Sequence, residues 1–152
     1  MKNRLKIILI AIVIIFVIGA VGYTQFHNHE TILVGKAQFV LPQGYTHGTT
    51  NEFGNINITN GSNTIFITEY PDGDLNKHMM DYINYKKNNN FSVDIKNLTI
   101  DNLNITKVVV LNNNKTVVNY FFVKNNVAYD ISSWDSNNKM DSTVVELINS
   151  IK

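Results

Sequence analysis

Val108-Val109-Val110-Leu111 and Val117-Val118-Asn119-Tyr120-Phe121-Phe122-Val123 decide how this chain folds. A strand with one wet face alternates apolar and polar side chains, because successive residues point to opposite faces. These two runs are apolar at successive positions, broken only by Asn119, so each belongs to a strand covered on both faces. The linker Asn112-Asn113-Asn114-Lys115 is short and polar, as an antiparallel hairpin requires. The two strands therefore lie inside a sheet, and other elements must cover both of its sides.

Four strands are expected around this centre: Phe91 to Ile100, Leu103 to Leu111, Thr116 to Val123 and Val127 to Ser133. Asp101-Asn102 and Lys124-Asn125-Asn126 are the remaining joints. In the first strand Phe91, Val93 and Ile95 alternate, then the apolar parity changes at Leu98 and Ile100, which predicts a bulge or bend near Asn97. Upstream, Thr31 to Leu41 reads as one strand ended by Pro42 and Gly44. Ile56 and Ile58, then Ile65 and Ile67, alternate on either side of Asn60-Gly61-Ser62-Asn63, a hairpin signal. Pro71-Asp72-Gly73-Asp74 is a turn in which Asp72 or Asp74 can cap a helix. Leu75, Met79, Tyr82 and Lys86 then share a helical face, with Ile83 beside it. A second helix closes the chain through Met140, Val144, Leu147, Ile148 and Ile151, with Asp141 favouring its start. The order is three strands, a helix, four strands, a helix. The expected fold is α+β: an antiparallel sheet of six to seven strands flanked by two helices, over residues 31–152.

Ahead of this domain, nothing charged or strongly polar interrupts Ile7 to Gly22. A helix over residues 7–23 meets the lower end of the length that a bilayer core demands, roughly 17–25 residues. Lys2, Arg4 and Lys6 form a basic stub over residues 1–6 that stays cytoplasmic, so the rest of the chain is outside. Tyr23 suits the far interface, and residues 24–30 form a polar spacer. Ala20 and Gly22 offer the alternative of a cleaved signal peptide, which leads to the same compartment.

Three of the 13 basic residues are that stub, and the ten that remain face 12 acidic ones, a balance of −2 for the rest. No basic face is implied, and nucleic acid is not an expected partner. The absence of cysteine excludes disulfides, thiolate metal sites, cysteine nucleophiles and a lipid-modified cysteine. Asparagine runs such as Asn88-Asn89-Asn90 are a compositional bias of the kind an AT-rich genome produces, and no function is read from them.

Phe39-Val40-Leu41-Pro42-Gln43-Gly44-Tyr45, the hairpin Ile56 to Tyr70, the meander Phe91 to Ile131 and the closing Ile148-Asn149-Ser150-Ile151-Lys152 resemble the PsbP-like family of small extracytoplasmic domains over residues 31 to 152. The resemblance implies an antiparallel sheet flanked by helices and a surface location. It transfers no functional residue, because the shared motifs are fold motifs.

Candidate chemistry is thin. His27-Asn28-His29-Glu30 is the one dense group of ligand-type residues. Two imidazoles fall short of the three or four ligands that a zinc site uses, so no metal or cofactor is expected there. His78-Met79-Met80 and Asp72-Gly73-Asp74 are better explained as helix packing and a capped turn than as copper or calcium ligands. Ser132, Ser133 and Ser136 lie near Asp130 and Asp135, but no Gly-x-Ser-x-Gly elbow surrounds them. Glu52 and Glu69 carry no paired-carboxylate signature. Trp134, the one tryptophan, is a candidate interface anchor. Sequons fall at Asn57, Asn60, Asn90, Asn97, Asn104 and Asn114, of which Asn60 and Asn114 sit in turns and are candidate glycan sites. The expected function is that of a non-catalytic, membrane-anchored accessory or interaction domain, binding a membrane-protein complex or an envelope component. The alternatives are a small-ligand or metal-binding module at the cell surface and an envelope hydrolase.

Overall fold

Val110 stands opposite Val117 and Val108 opposite Asn119, so the two apolar runs are adjacent antiparallel strands. The computed structural model describes residues 30–50, 55–112, 115–134 and 140–152. The expected anchor over 7–23, His27, His29, Glu52, Asn114, Asp135 and Ser136 lie outside them. Among the described residues no helix is long and apolar enough to cross a membrane.

The described elements are β1 (Thr31–Val34), β2 (Ala37–Val40), β3 (Thr46–His47), β4 (Ile56–Thr59), β5 (Thr64–Tyr70), α1 (Leu75–Asn88), β6 (Ser92–Ile100), β7 (Leu103–Asn112), β8 (Lys115–Lys124), β9 (Val127–Trp134) and α2 (Met140–Ser150). Seven strands form one antiparallel sheet in the order β3-β4-β5-β9-β8-β7-β6, and β1 and β2 form a separate pair. Over the described residues the fold is α+β, with a seven-stranded antiparallel sheet, a small two-stranded one and two helices. Both doubly apolar strands, β7 and β8, are interior to the sheet.

The strands turn tightly because of asparagine. Asp101 and Asn102 between β6 and β7 have φ of 47° and 64°, and Asn125 and Asn126 between β8 and β9 have 53° and 61°. A two-residue hairpin turn of this kind needs left-handed backbone at both positions, which Asn and Asp adopt more readily than other non-glycine residues. Part of the asparagine excess is therefore structural. At the start of α1, Asp74 is the N-cap, its Oδ1 accepting from the N–H of Lys77 at 3.0 Å.

One face of the sheet is closed. The β1–β2 pair and α2 cover it, burying Phe39, Val144, Leu147 and Ile148 against Ile58, Ile65, Ile67, Tyr120, Phe122, Tyr129 and Ile131. Each such side chain contributes about 1.5–3 kcal/mol of burial. Polar clamps fix α2 at both ends. Lys107 Nζ lies 2.6 Å from Asp141 Oδ1, and the Tyr120 hydroxyl donates to the same carboxylate. Lys124 Nζ donates to the carbonyl of Ile148 at 2.7 Å, satisfying a carbonyl of the last turn. Beyond the helix, Lys152 and Gln38 exchange backbone hydrogen bonds of 3.1 and 3.4 Å, so the C-terminus lies along β2.

The other face is covered by α1, and over part of its width only. Ile83 is buried with Val108, Val110 and Phe121, while Leu75, Met79, Tyr82, Phe91 and Val93 pack around them.

Three expectations change. Thr31 to Leu41 is a hairpin rather than one strand, turning at Gly35, whose φ is +59°. An added Cβ at Gly35 would also collide with the Glu69 carboxylate. A short strand, β3, pairs with β4 where no strand was expected. No bulge occurs near Asn97, because β6 and β7 pair without interruption from Ser92↔Leu111 to Ile100↔Leu103. Val93 instead packs under α1, while Leu98 and Ile100 pack on the opposite core. The parity changes because the two ends of the strand are covered from opposite sides.

Candidate functional site

Helix α1 packs against β6 and β8 and reaches Tyr70 at the end of β5, and among the described residues no helix lies over the rest of β5 and β9 on that side. A groove of about 520 Å³ opens there, lined on β5 by Phe66, Thr68 and Tyr70 and on β9 by Asp130, Ser132 and Trp134. Tyr82 and Lys86 of α1 and Phe91 make the opposite wall, and Asn119 and Val117 of β8 lie between. Register explains the convergence: Asp130 stands opposite Phe121, Ser132 opposite Asn119 and Trp134 opposite Val117, so alternate residues of both strands share this face.

The floor is polar and buried. Asp130 is 8% exposed and Asn119 4%. Asn119 Nδ2 donates to both carboxylate oxygens of Asp130, at 2.9 and 3.1 Å. Burial pushes the Asp130 carboxyl up to about 7, although hydrogen bonds from Asn119 and from the backbone of Tyr120 draw it partly down. The phenols of Tyr70 and Tyr82 are raised well above their ordinary range, by burial first and by the Asp130 charge second. Among the described residues, Asn119 Oδ1 and the Tyr82 hydroxyl are buried without a hydrogen-bond partner. Folded proteins pair nearly all such groups with protein or ordered water, so the two orphans single out this groove.

The rim is aromatic and cationic. Trp134 is 56% exposed, with Lys115 Nζ 5.6 Å from its ring centroid. Lys86 Nζ lies 5.2 Å from the ring centroids of both Tyr82 and Phe91. Tyr70 stacks on His78 with centroids 4.1 Å apart, and His78 Nε2 is 2.8 Å from Asp72 Oδ2. That hydrogen bond leads the effects that hold the Asp72 carboxyl below its usual range.

Of the residues singled out in the sequence, Trp134 reaches the groove and Met79 packs beside Ile83. Asn60 is exposed in the β4–β5 turn, its Oδ1 accepting from the N–H groups of Ser62 and Asn63. Ser132 and Ser133 are separated by the strand's alternation: Ser132 lines the groove, while Ser133 is buried on the closed side and donates to the carbonyl of Thr64 at 3.1 Å. Glu69 accepts from the N–H of Lys36 at 3.3 Å. Among the described residues no three His, Cys, Asp or Glu side chains are grouped to hold a metal ion. Sequence reasoning weighed Asp130 only as a neighbour of the serines and passed over Asn119, although Asn119 is the lone polar residue in the run Val117 to Val123.

No protein-family profile matches the sequence, and no curated protein does. Solved structures similar in fold include the solution structure of cyanobacterial PsbP from Synechocystis sp. PCC 6803, at a TM-score of 0.49 and 10% identity, over 81% of this chain and 91% of that one. A crystal structure of a protein from Bacteroides thetaiotaomicron VPI-5482 is similar at a TM-score of 0.48 and 13% identity, over 76% of this chain and 44% of that one. The chain therefore spans less than half the length of the Bacteroides protein. No residue role passes from either structure to this one.

Proposed function

We propose that this chain is a non-catalytic binding domain held outside the cell membrane by residues 7–23, and that it takes a small ligand in the groove beside α1. The membrane placement is supported by Lys2, Arg4 and Lys6 ahead of an uninterrupted apolar run. Binding is supported by one observation above all: the groove floor holds a buried carboxylate together with an amide oxygen and a phenol that lack partners. A buried polar group left unsatisfied costs about 1–3 kcal/mol, a strain that a ligand with complementary groups would relieve. The volume of about 520 Å³ is in the range of small-molecule sites. An envelope hydrolase is disfavoured, because Ser133 is turned into the opposite core and no histidine is among the described residues lining the groove.

Trp134 makes this testable, since it is the one tryptophan and it lines the groove. The full-length chain in a nonionic detergent, labelled at the indole nitrogen, gives one reporter signal. Mixtures of cationic, anionic, neutral and carbohydrate fragments are added in turn. A saturable shift from at least one class is expected; silence across all four would sink the proposal.

A further inference from the structure

The groove floor presents acceptors that want donors and a charge that wants a countercharge. Asp130 is a buried carboxylate whose side-chain partner is the neutral amide of Asn119. Asn119 Oδ1 is an orphaned acceptor and nine-tenths buried, and the Tyr82 hydroxyl, also without a partner, belongs to a residue lining the same groove. The walls are aromatic, from Phe66, Tyr70, Phe91 and Trp134. Ring faces in this groove already attract a cation, as Lys86 over Tyr82 and Phe91 shows.

We propose that the groove binds a small primary amine, its ammonium group seated on Asp130, Asn119 Oδ1 and the Tyr82 hydroxyl and its apolar stem lying between the aromatic walls. This rests on the groove being a ligand site. An ammonium carries three N–H donors, one for each of these three acceptors. A quaternary ammonium has the charge and no donor, so it would leave the floor unsatisfied. A divalent cation needs more oxygen ligands than the one carboxylate here supplies. A neutral sugar can donate hydrogen bonds but brings no countercharge to a desolvated carboxylate.

The amine bound in the groove requires an ionised Asp130, so binding releases the proton that the free carboxyl holds below about pH 7. Among the described residues, the other titratable or charged groups lining the groove are Tyr70 from β5 and Tyr82 and Lys86 from α1, with Lys115 of β8, His78 of α1 and Asp72 at its rim. Both phenols are raised away from the window between pH 5 and 8. Affinity therefore rises with pH across that window.

The test titrates the full-length chain in a nonionic detergent with 2-phenylethylamine, 2-phenylethanol and trimethyl(2-phenylethyl)ammonium, reading Trp134 fluorescence. At pH 8 the amine is expected to bind at least about 10-fold more tightly than the alcohol or the quaternary cation, the order of one lost charged hydrogen bond. Between pH 8 and pH 5 its affinity is expected to fall by roughly 30-fold or more as Asp130 takes up its proton. Asp130→Asn should abolish both the preference and the pH dependence while keeping the groove's shape. Tyr82→Phe, which preserves packing, should weaken the amine several-fold and leave the alcohol unchanged. Equal binding of amine and alcohol, or full affinity in Asp130→Asn, overturns the assignment. Response to anions or sugars alone overturns the amine and leaves the groove a ligand site, whereas silence to every class overturns both.

Discussion

The two faces of the sheet solve the same problem differently. On one, α2 and the β1–β2 hairpin meet the strands with apolar side chains, and each polar group that intrudes is answered: Asp141 by Lys107 and Tyr120, the Ile148 carbonyl by Lys124, Ser133 by the Thr64 carbonyl. On the other, among the described residues, α1 covers only part of the strands, and the polar groups of the groove beside it are only half answered. The same sheet therefore carries a closed core and an open groove back to back. Regular alternation assigns each strand residue to one or the other: Tyr129 and Ile131 to the core, Asp130 and Ser132 to the groove.

The largest expected effect lies on the closed face. Leu147 is fully buried between α2 and the sheet. Leu147→Ala should destabilise the domain by about 3–5 kcal/mol through lost burial and the cavity left behind. Trp134→Ala, at the groove mouth, should change stability by less than about 1 kcal/mol, as truncation of a mostly exposed side chain does. Chemical denaturation of both variants measures the difference. Similar losses would mean that the groove rim is part of the core.

Two aspartates sharpen the contrast, because the two faces shift them in opposite directions. Asp130 is raised to about 7 by burial, so its contribution to stability is fully present below the unfolded carboxyl range and is lost as pH rises through about 7. Asp130→Asn removes that loss. The variant should be more stable than the parent at pH 8, by about 2–4 kcal/mol, and equal to it near pH 4. Asp141 behaves the other way. Burial works against its charge, but hydrogen bonds from Lys107 and Tyr120 outweigh it and hold the carboxyl below its usual range. Its contribution is present at neutral pH and is lost as pH falls through that lowered value. Asp141→Asn should lose about 1 kcal/mol at pH 7, since the carboxylate is half exposed, and nothing at the acid end. Thermal melts across pH 3–8 separate the two. Parallel profiles for both variants would remove the distinction between the faces.

The closed face was legible in the sequence and the open one was not, for a physical reason. Apolar periodicity reports that a residue is covered, so Val144, Leu147, Ile148 and Ile151 announced their helix face and Val108 to Leu111 their interior strand. Parity was harder to interpret. Ile32 and Val34 sit at even positions and Ala37, Phe39 and Leu41 at odd ones, a switch that marks the two-residue turn at Gly35-Lys36. The similar switch within β6 marks a change of covering side in an unbroken strand. Periodicity alone does not separate these causes. The site depended on more still. Asn119 and Asp130 are diagonal neighbours only in the β8–β9 register, which the left-handed Asn125-Asn126 turn sets. How far α1 reaches across the sheet decides which polar residues remain uncovered, and nothing local in β9 encodes that.

The smallest expected effect is a pair of hydroxyl deletions, one on each face. The Tyr120 hydroxyl donates to Asp141 under α2, whereas the Tyr82 hydroxyl is buried beside the groove without a partner. Tyr120→Phe removes a hydrogen bond to a charged group and exposes nothing new, which should destabilise the domain by about 1 kcal/mol. Tyr82→Phe removes a desolvated hydroxyl that gains no compensating bond, so stability should stay level or rise by a few tenths of a kcal/mol. Calorimetric melts of the two variants at pH 7 compare them directly. If Tyr82→Phe proved as destabilising as Tyr120→Phe, the hydroxyl would have a partner within the folded chain, and the open face would be satisfied without any ligand.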